Sequence, residues 1–338
     1  MSVAGAGSAI RVGFQVWGQF VGWPELMAEA REIERLGFAS LWSNDHFMPA
    51  AGAQAASPEG LDGPFFEGWM TLAGFAAATT RIPLGVLVSG AGYRNPVLLV
   101  KQATALDHLS GGRVTLGLGA GWHERDHRAF GFDYPSLGER IDRLDEQATV
   151  VRRLLDGEEM TFAGRWVRTE RARNDPPPLQ PRMPLLIGGS GEKRTLRIVA
   201  RCADAWNGEG DPATYAHKNA VLDERCAEIG RDPATIRRTV GVPPACIRDT
   251  RAGAMTVLAA TLERNGLEPD EARAAAEDSP LVGDEVTVLA ALAAWREAGA
   301  EEAVVDWPAP FDRETLERLA AALRLEGYPD AGPALAAR

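Results

Sequence analysis

Cysteine is scarce in this chain. Its 338 residues hold three, Cys202, Cys226 and Cys246. They are far apart and odd in number, which excludes a disulfide framework and paired zinc ligands and fits buried thiols in a reducing cytoplasm. No apolar run reaches the roughly eighteen residues of a membrane span. An excess of positive charge is missing too. The net charge of -11 and pI near 5.1 argue against nucleic acid or an anionic membrane as a general partner. Residues 2–9 are small and uncharged, without the basic and apolar regions of a signal peptide, and read as part of a frayed tail over 1–9; 328–338 read as a C-terminal tail. What remains, at 45% apolar and 25% charged, is an ordinary globular composition.

The stretch 82–121 sets the pattern. An apolar run at 83–89 reads as a buried strand, and Asn95 with Pro96 opens a helix. Leu98, Leu99, Ala103, Leu106 and Leu109 are expected on its inner face, and Gly111-Gly112 stops it before a second strand at 114–118. Two apolar strands joined by a covering helix imply a parallel pair with a right-handed crossover. The unit recurs. Further strands are expected at 10–17, 38–43, 185–187, 203–206, 239–247 and 303–307, each followed by helix. Ser136 and Glu139 form a capping box for the helix running to Leu155. One interruption, 157–184, reads as a hairpin and Pro-rich insertion between units four and five. Eight such units predict an α/β fold, a (β/α)8 TIM-like barrel, as one domain over 10–327. An open doubly wound sheet shares the same alternation, because period alone cannot close a sheet.

In such a barrel the site lies where strands end. Trp17, Trp42, Trp206 and Trp307 fall at strand ends, with Trp122 just beyond the fourth. They either fill the barrel top or wall a pocket for a flat ligand. Asp45-His46 follows strand two directly, and an imidazole there is suited to proton transfer near neutral pH, its tautomer set by a neighbour; the plainer reading is a capping Asp beside a half-buried His. Gly188-Gly189-Ser190-Gly191, expected to open a helix, offers bare backbone N–H groups for a phosphate, with Lys193, Arg194 and Arg197 nearby, or else a turn needed for packing. Two motifs mislead. Gly117-Leu118-Gly119-Ala120-Gly121 carries Trp122 where a dinucleotide fingerprint needs its third Gly. His123-Glu124-Arg125-Asp126-His127 spells HExxH, but just past a glycine-rich loop among charged neighbours rather than within an amphipathic helix, so no metal is expected. His108 and His217 read as structural.

Taken together, four stretches resemble the bacterial luciferase-like oxidoreductases, in particular their branch that uses the deazaflavin coenzyme F420. They are the strand 37–42 with Asp45-His46 behind it, 84–85 through Tyr93-Arg94-Asn95-Pro96, 106–122, and the 188–191 glycines leading to Ala203-Asp204. The resemblance implies a TIM-like barrel with the cofactor at its carboxyl end and a homodimer. Asp45 and His46 would meet the cofactor head, His46 being the proton donor or acceptor. A cis peptide is implied near Ser89-Gly90. Ala120-Gly121 and Gly188-Gly189-Ser190-Gly191 would hold the ribityl and phosphate part. The expected reaction passes a hydride between F420 and a small organic substrate in a pocket walled by Trp17, Trp42 and Trp122, the loops 47–66, 122–135 and 267–282 contributing. Sugar-phosphate dehydrogenases of this branch carry a Glu where this chain has Trp122, so such a substrate loses its support. The alternatives are an FMN-dependent monooxygenase on the same fold, a zinc hydrolase using His123, Glu124 and His127, and a cofactor-binding protein without catalysis.

Overall fold

The computed structural model describes residues 10–50 and 61–325. The two tails, and the tip of the loop behind the second strand, lie outside the described residues. Eight strands carry the fold: β1 (Arg11–Val16), β2 (Leu41–Ser43), β3 (Leu84–Val86), β4 (Val114–Gly119), β5 (Leu185–Gly188), β6 (Ala205–Gly208), β7 (Arg237–Val242) and β8 (Glu302–Trp307). Each pairs in parallel with the next. β8 then pairs with β1, in register from Arg11↔Glu302 to Val16↔Trp307. The ring therefore closes, and the open-sheet alternative falls because no edge is left.

The helices are α1 (Trp23–Leu36), α2 (Gly68–Ala78), α3 (Pro96–Ser110), α4 (Glu124–Ala129), α5 (Leu137–Leu155), α6 (Thr195–Cys202), α7 (Pro212–Glu228), α8 (Arg251–Arg264), α9 (Pro269–Asp278), α10 (Glu285–Glu297) and α11 (Arg313–Leu325). Local chemistry explains their ends. Asn95 Oδ1 accepts the N–H of Val97 at 2.9 Å and of Leu98 at 3.4 Å, and Gly111 leaves α3 at φ 74°. The capping box of Ser136 and Glu139 opens α5. The insertion is a hairpin of Met160–Ala163 against Arg168–Ala172, followed by a cis Asp175–Pro176 bond.

Several expectations change. On α3 the buried stripe is Leu99, Ala103, Leu106 and Ser110, while Leu98 and Leu109 are 54% and 57% exposed. Each stands one residue off the stripe, which turns a side chain by about 100°. α6 begins only at Thr195, because residues 192–194 form a turn first; the four glycine-loop residues are outside the helix. Pro269 starts α9 inside the segment 267–282 that reads as loop. β6 begins two residues later than expected, at Ala205, and β7 ends at Val242, with Cys246–Ile247 pairing separately with Val282–Gly283.

Inside the ring, side chains stack in layers. At the amino-terminal end Glu302 binds Arg11, Arg237 and Ser40. Above it Trp42, Leu186, Ala205 and Val304 form an apolar plug. Gly85 makes room for the indole, since a Cβ there would lie 2.2 Å from the Trp42 ring. The next layer faces the carboxyl-terminal mouth.

Candidate active site

The mouth begins where β2 ends. Ser43 Oγ donates to the Gly68 carbonyl at 2.9 Å, and Asn44 Oδ1 accepts from the Gly18 N–H at 3.4 Å, so the chain leaves the strand in a fixed direction. Asp45 is buried, and Arg94 forks onto it with Nη1 to Oδ2 at 2.5 Å and Nη2 to Oδ1 at 2.9 Å. Arg94 also meets Glu67. A bidentate pair of this kind is a positional clamp. The structure thus places both Asp45 oxygens on Arg94, not toward an open cleft.

His46 follows and is held from one side. Its Nδ1 lies 2.8 Å from Asp126 Oδ2. The same carboxylate accepts the Phe47 N–H at 3.2 Å and the Tyr93 hydroxyl at 3.2 Å, and His123 Nδ1 lies 2.9 Å from it. Burial alone would raise the Asp126 carboxyl, but His123 and His46 outweigh it and hold it far below the usual carboxylate range. An ionised carboxylate only accepts, so His46 presents Nδ1–H to it. Nε2 is left without a protein partner among the described residues. Burial, with the charges of Asp126 and Asp45, pushes the Tyr93 phenol well above its ordinary value, so it stays a donor. Trp122, 54% exposed, stands edge-on to the His46 ring at 5.3 Å, and Phe65 does so at 6.2 Å.

The HExxH motif comes apart here. Glu124 pairs with Arg128 on the surface at 2.5 Å. His127 turns Nδ1 to the His123 carbonyl at 3.0 Å, and burial lowers its pKa, keeping it neutral. The three potential ligand atoms that do converge, within 4.8 Å, belong to His46, His123 and Asp126. Of these, His46 is hydrogen-bonded to Asp126, while His123 Nδ1 stands 2.9 Å from the same carboxylate.

Across the mouth lies a floor with few side chains. The cis peptide is Leu87–Val88, two residues before the expected Ser89-Gly90. Val88 then lies over two glycines. A Cβ on Gly119 would fall 2.6 Å from it, and one on Gly188 3.1 Å. Ser89 is buried, its Oγ accepting the Trp69 indole N–H at 2.7 Å. Gly90 lies under the Tyr93 ring. Beside them, Gly121 adopts φ 78°, Arg140 Nε donates to its carbonyl at 3.1 Å, and Ala120 is half-buried. The glycine loop behind β5 follows. Gly189 has φ 113° and accepts the Trp206 indole N–H at 2.9 Å; Ser190 Oγ is buried without a partner; Gly191 is exposed. Arg194 and Arg197 are taken up by Asp142 and Glu228.

The remaining rim is polar. Gln15 of β1 donates to the Leu87 carbonyl, and Trp17 Nε1 lies 3.3 Å from Asp306 Oδ1 of β8. Burial pushes the Asp306 carboxyl up to about 7, the Trp17 hydrogen bond opposing only in part. The tryptophans divide. Trp17 and Trp122 reach the rim, whereas Trp42 is 1% exposed in the plug and bonds Ser40 at 2.6 Å. Trp206 and Trp307 point outward, stacking on Tyr215 and donating to Glu29 at 2.7 Å. Asp126, Tyr93, Arg94 and Asp306 have no role in the sequence reading. Asp126 was hidden inside the zinc-like motif. Asp306 had a usable signal, a carboxylate interrupting the apolar run 303–307 near its carboxyl end.

Comparison with known proteins bears on the fold and the family. A model of the family described as Luciferase-like monooxygenase matches residues 7–307. The chain is 28% identical over 261 residues to an F420-dependent hydroxymycolic acid dehydrogenase of Mycobacterium tuberculosis, covering 76% of this chain and 69% of that one. It is 29% identical over 249 residues to an F420-dependent glucose-6-phosphate dehydrogenase of Intrasporangium calvum, covering 72% of each. Among solved structures, an F420-dependent secondary alcohol dehydrogenase in complex with an F420-acetone adduct superposes with a TM-score of 0.80 at 18% identity, covering 95% of this chain and 100% of that one. A long-chain alkane monooxygenase superposes with a TM-score of 0.76 at 15% identity, covering 95% and 92%. At such identities the superpositions show the fold. With the ring closed and the family match running from before β1 to the end of β8, the chain belongs to the luciferase-like monooxygenase family and is an oxidoreductase.

Proposed function

We propose that this enzyme transfers a hydride between coenzyme F420 and a small organic substrate, with His46 carrying the accompanying proton. The observation that carries the reading is the His46–Asp126 pair at 2.8 Å, which takes up Nδ1 and leaves Nε2 without a partner among the described residues. The mouth suits a flat cofactor with a phosphate-bearing arm. Gly119 and Gly188 let Val88 pack down onto the strand ends, and among the described residues the buried Ser190 Oγ lacks a partner beside bare glycine backbone. The names of the two dehydrogenase relatives point to F420 rather than to another flavin. When bound, the deazaflavin supplies the hydride acceptor or donor. Val88, Gly90 and Ala120-Gly121 would hold its ring and ribityl chain, and Gly188 to Gly191 its phosphate.

Asp126 holds the imidazole by Nδ1, so Nε2 takes the proton a substrate hydroxyl releases, or returns it to a carbonyl in the reverse direction. Trp122 and Trp17 stand on the rim as substrate walls. Asp45 clamps Arg94 and so fixes the start of the loop that presents His46. The described residues include no helix long and apolar enough to cross a membrane. A homodimer is part of the proposal, and light scattering on purified protein tests it.

Titrating purified protein with F420 and with FMN tests the cofactor. Micromolar or tighter F420 binding supports the reading. Binding of FMN alone moves the enzyme to the monooxygenase alternative, which the likeness to a long-chain alkane monooxygenase keeps open.

A further inference from the structure

Glu302 and Asp306 lie on one strand, four residues apart, and the alternation of β8 sends both into the barrel. Val304 between them is in the apolar plug. Asp306 is therefore one layer above the plug, on the mouth side, and it is only partly buried. Around it the layer is polar: Gln15 on β1 and Asn207 on β6, with Trp17 over the β1 end. Its sole hydrogen bond among the described residues comes from Trp17 Nε1, at 3.3 Å to Oδ1. Oδ2 has none. Among the described residues no arginine, lysine or histidine bears on it, and the one charge that does is Glu209, exposed just past β6. A carboxyl on the mouth layer with one oxygen left without a hydrogen bond among the described residues is what a site for a polar ligand looks like.

We propose that Asp306 recognises the substrate, hydrogen-bonding the hydroxyl or carbonyl oxygen of an uncharged molecule, and that with Glu209 it rejects phosphorylated and carboxylated ones. This rests on the oxidoreductase reading of the same mouth and names its substrate class. The carboxyl can take either hydrogen-bonding role. Burial first, and Glu209 in addition, push it up to about 7, the Trp17 bond opposing, so near neutral pH both protonated and ionised forms are present. The protonated form donates to a carbonyl and the ionised form accepts from a hydroxyl. An anion would meet two carboxyl groups and no compensating cation.

The test is a two-stage titration. F420 binding is first measured by the cofactor's fluorescence in the parent, Asp306→Asn and Glu29→Gln. Glu29 is a control: a buried carboxyl also pushed up to about 7, but bonded to Trp307 outside the barrel. Cyclohexanone and the anion cyclohexanecarboxylate are then titrated, with and without cofactor, and any turnover is split into kcat and KM. The expected result is that cyclohexanone binds and the anion does not. Asp306→Asn should weaken the ketone roughly tenfold or more with F420 affinity unchanged, and Glu29→Gln should alter neither. Ketone affinity within twofold of the parent in Asp306→Asn, no ketone binding at all, or preference for the anion overturns the assignment. Failure to bind F420 sinks the cofactor reading separately, because the cofactor-free arm still decides Asp306.

Discussion

The two ends of the barrel pose one chemical problem and answer it differently. Each carries an inward carboxylate from β8. At the amino-terminal end Glu302 is fully buried and ringed by Arg11, Arg237 and Ser40. At the carboxyl-terminal end Asp306 has, among the described residues, one indole hydrogen bond and no cation. Burying a carboxylate costs several kcal/mol unless partners compensate. The lower end compensates and becomes a structural plug. The upper end does not, and what it leaves unsatisfied is available to a ligand.

The largest expected effect tests the lower half of that contrast. Glu302→Ala leaves two arginine heads facing each other inside the ring and should cost about 3–5 kcal/mol in denaturant unfolding, where Asp306→Asn costs little. Equal losses would erase the distinction between plug and site. Next comes His46→Ala, which should slow turnover roughly a hundredfold or more while F420 affinity stays within a few-fold. Undiminished turnover would remove the imidazole from the proton path. Asp126→Asn should act in the same direction more weakly, by about tenfold, because the ring stays but its hold on Nδ1 weakens; steady-state kinetics at fixed cofactor decides it.

A pH comparison sharpens the contrast further. Asp306 is raised from an unfolded value near 3.9 to about 7. Its contribution to stability is therefore full below the unfolded value and lost as pH climbs through about 7. Asp306→Asn removes that loss, so its melting temperature should gain on the parent between pH 5 and 8, by roughly 2–4 °C. Parallel melting curves would show that the carboxyl is not destabilised. The smallest effect is expected at Trp122→Ala. This side chain is 54% exposed and meets His46 only edge-on, so stability should change by less than about 1 kcal/mol and KM by a few-fold.

The strand-and-helix order was legible because each unit carries its own signals. Asn95-Pro96, the Ser136–Glu139 box and Gly37 at φ 87° act within a few residues of the backbone they shape. The family resemblance was legible for the same reason, since its motifs are contiguous. Side-chain direction was much less so. Trp17, Trp42, Trp206 and Trp307 all read as strand ends, yet Trp42 is the middle residue of β2 and Trp206 the second of β6; two reach inward and two outward, and only register and layer separate the rim from the plug. Leu98 and Leu109 read as core and stand in solvent because one residue's offset rotates them off the buried stripe. The helix behind the 188–191 loop starts late because three turn residues intervene.

Sequence alone determined that eight parallel strands would alternate with helices, that His46 would trail the second, and that no cysteine framework or membrane-length apolar run would be involved. These are properties of periodicity and composition, which act locally. Only the tertiary structure decided that the ring closes through Arg11 and Glu302, that Asp126, eighty residues from His46, holds its Nδ1, and that Asp306 meets only the Trp17 indole above the plug among the described residues. Those outcomes depend on which distant side chains a closed barrel brings within about 3 Å, a distance no spacing along the chain encodes.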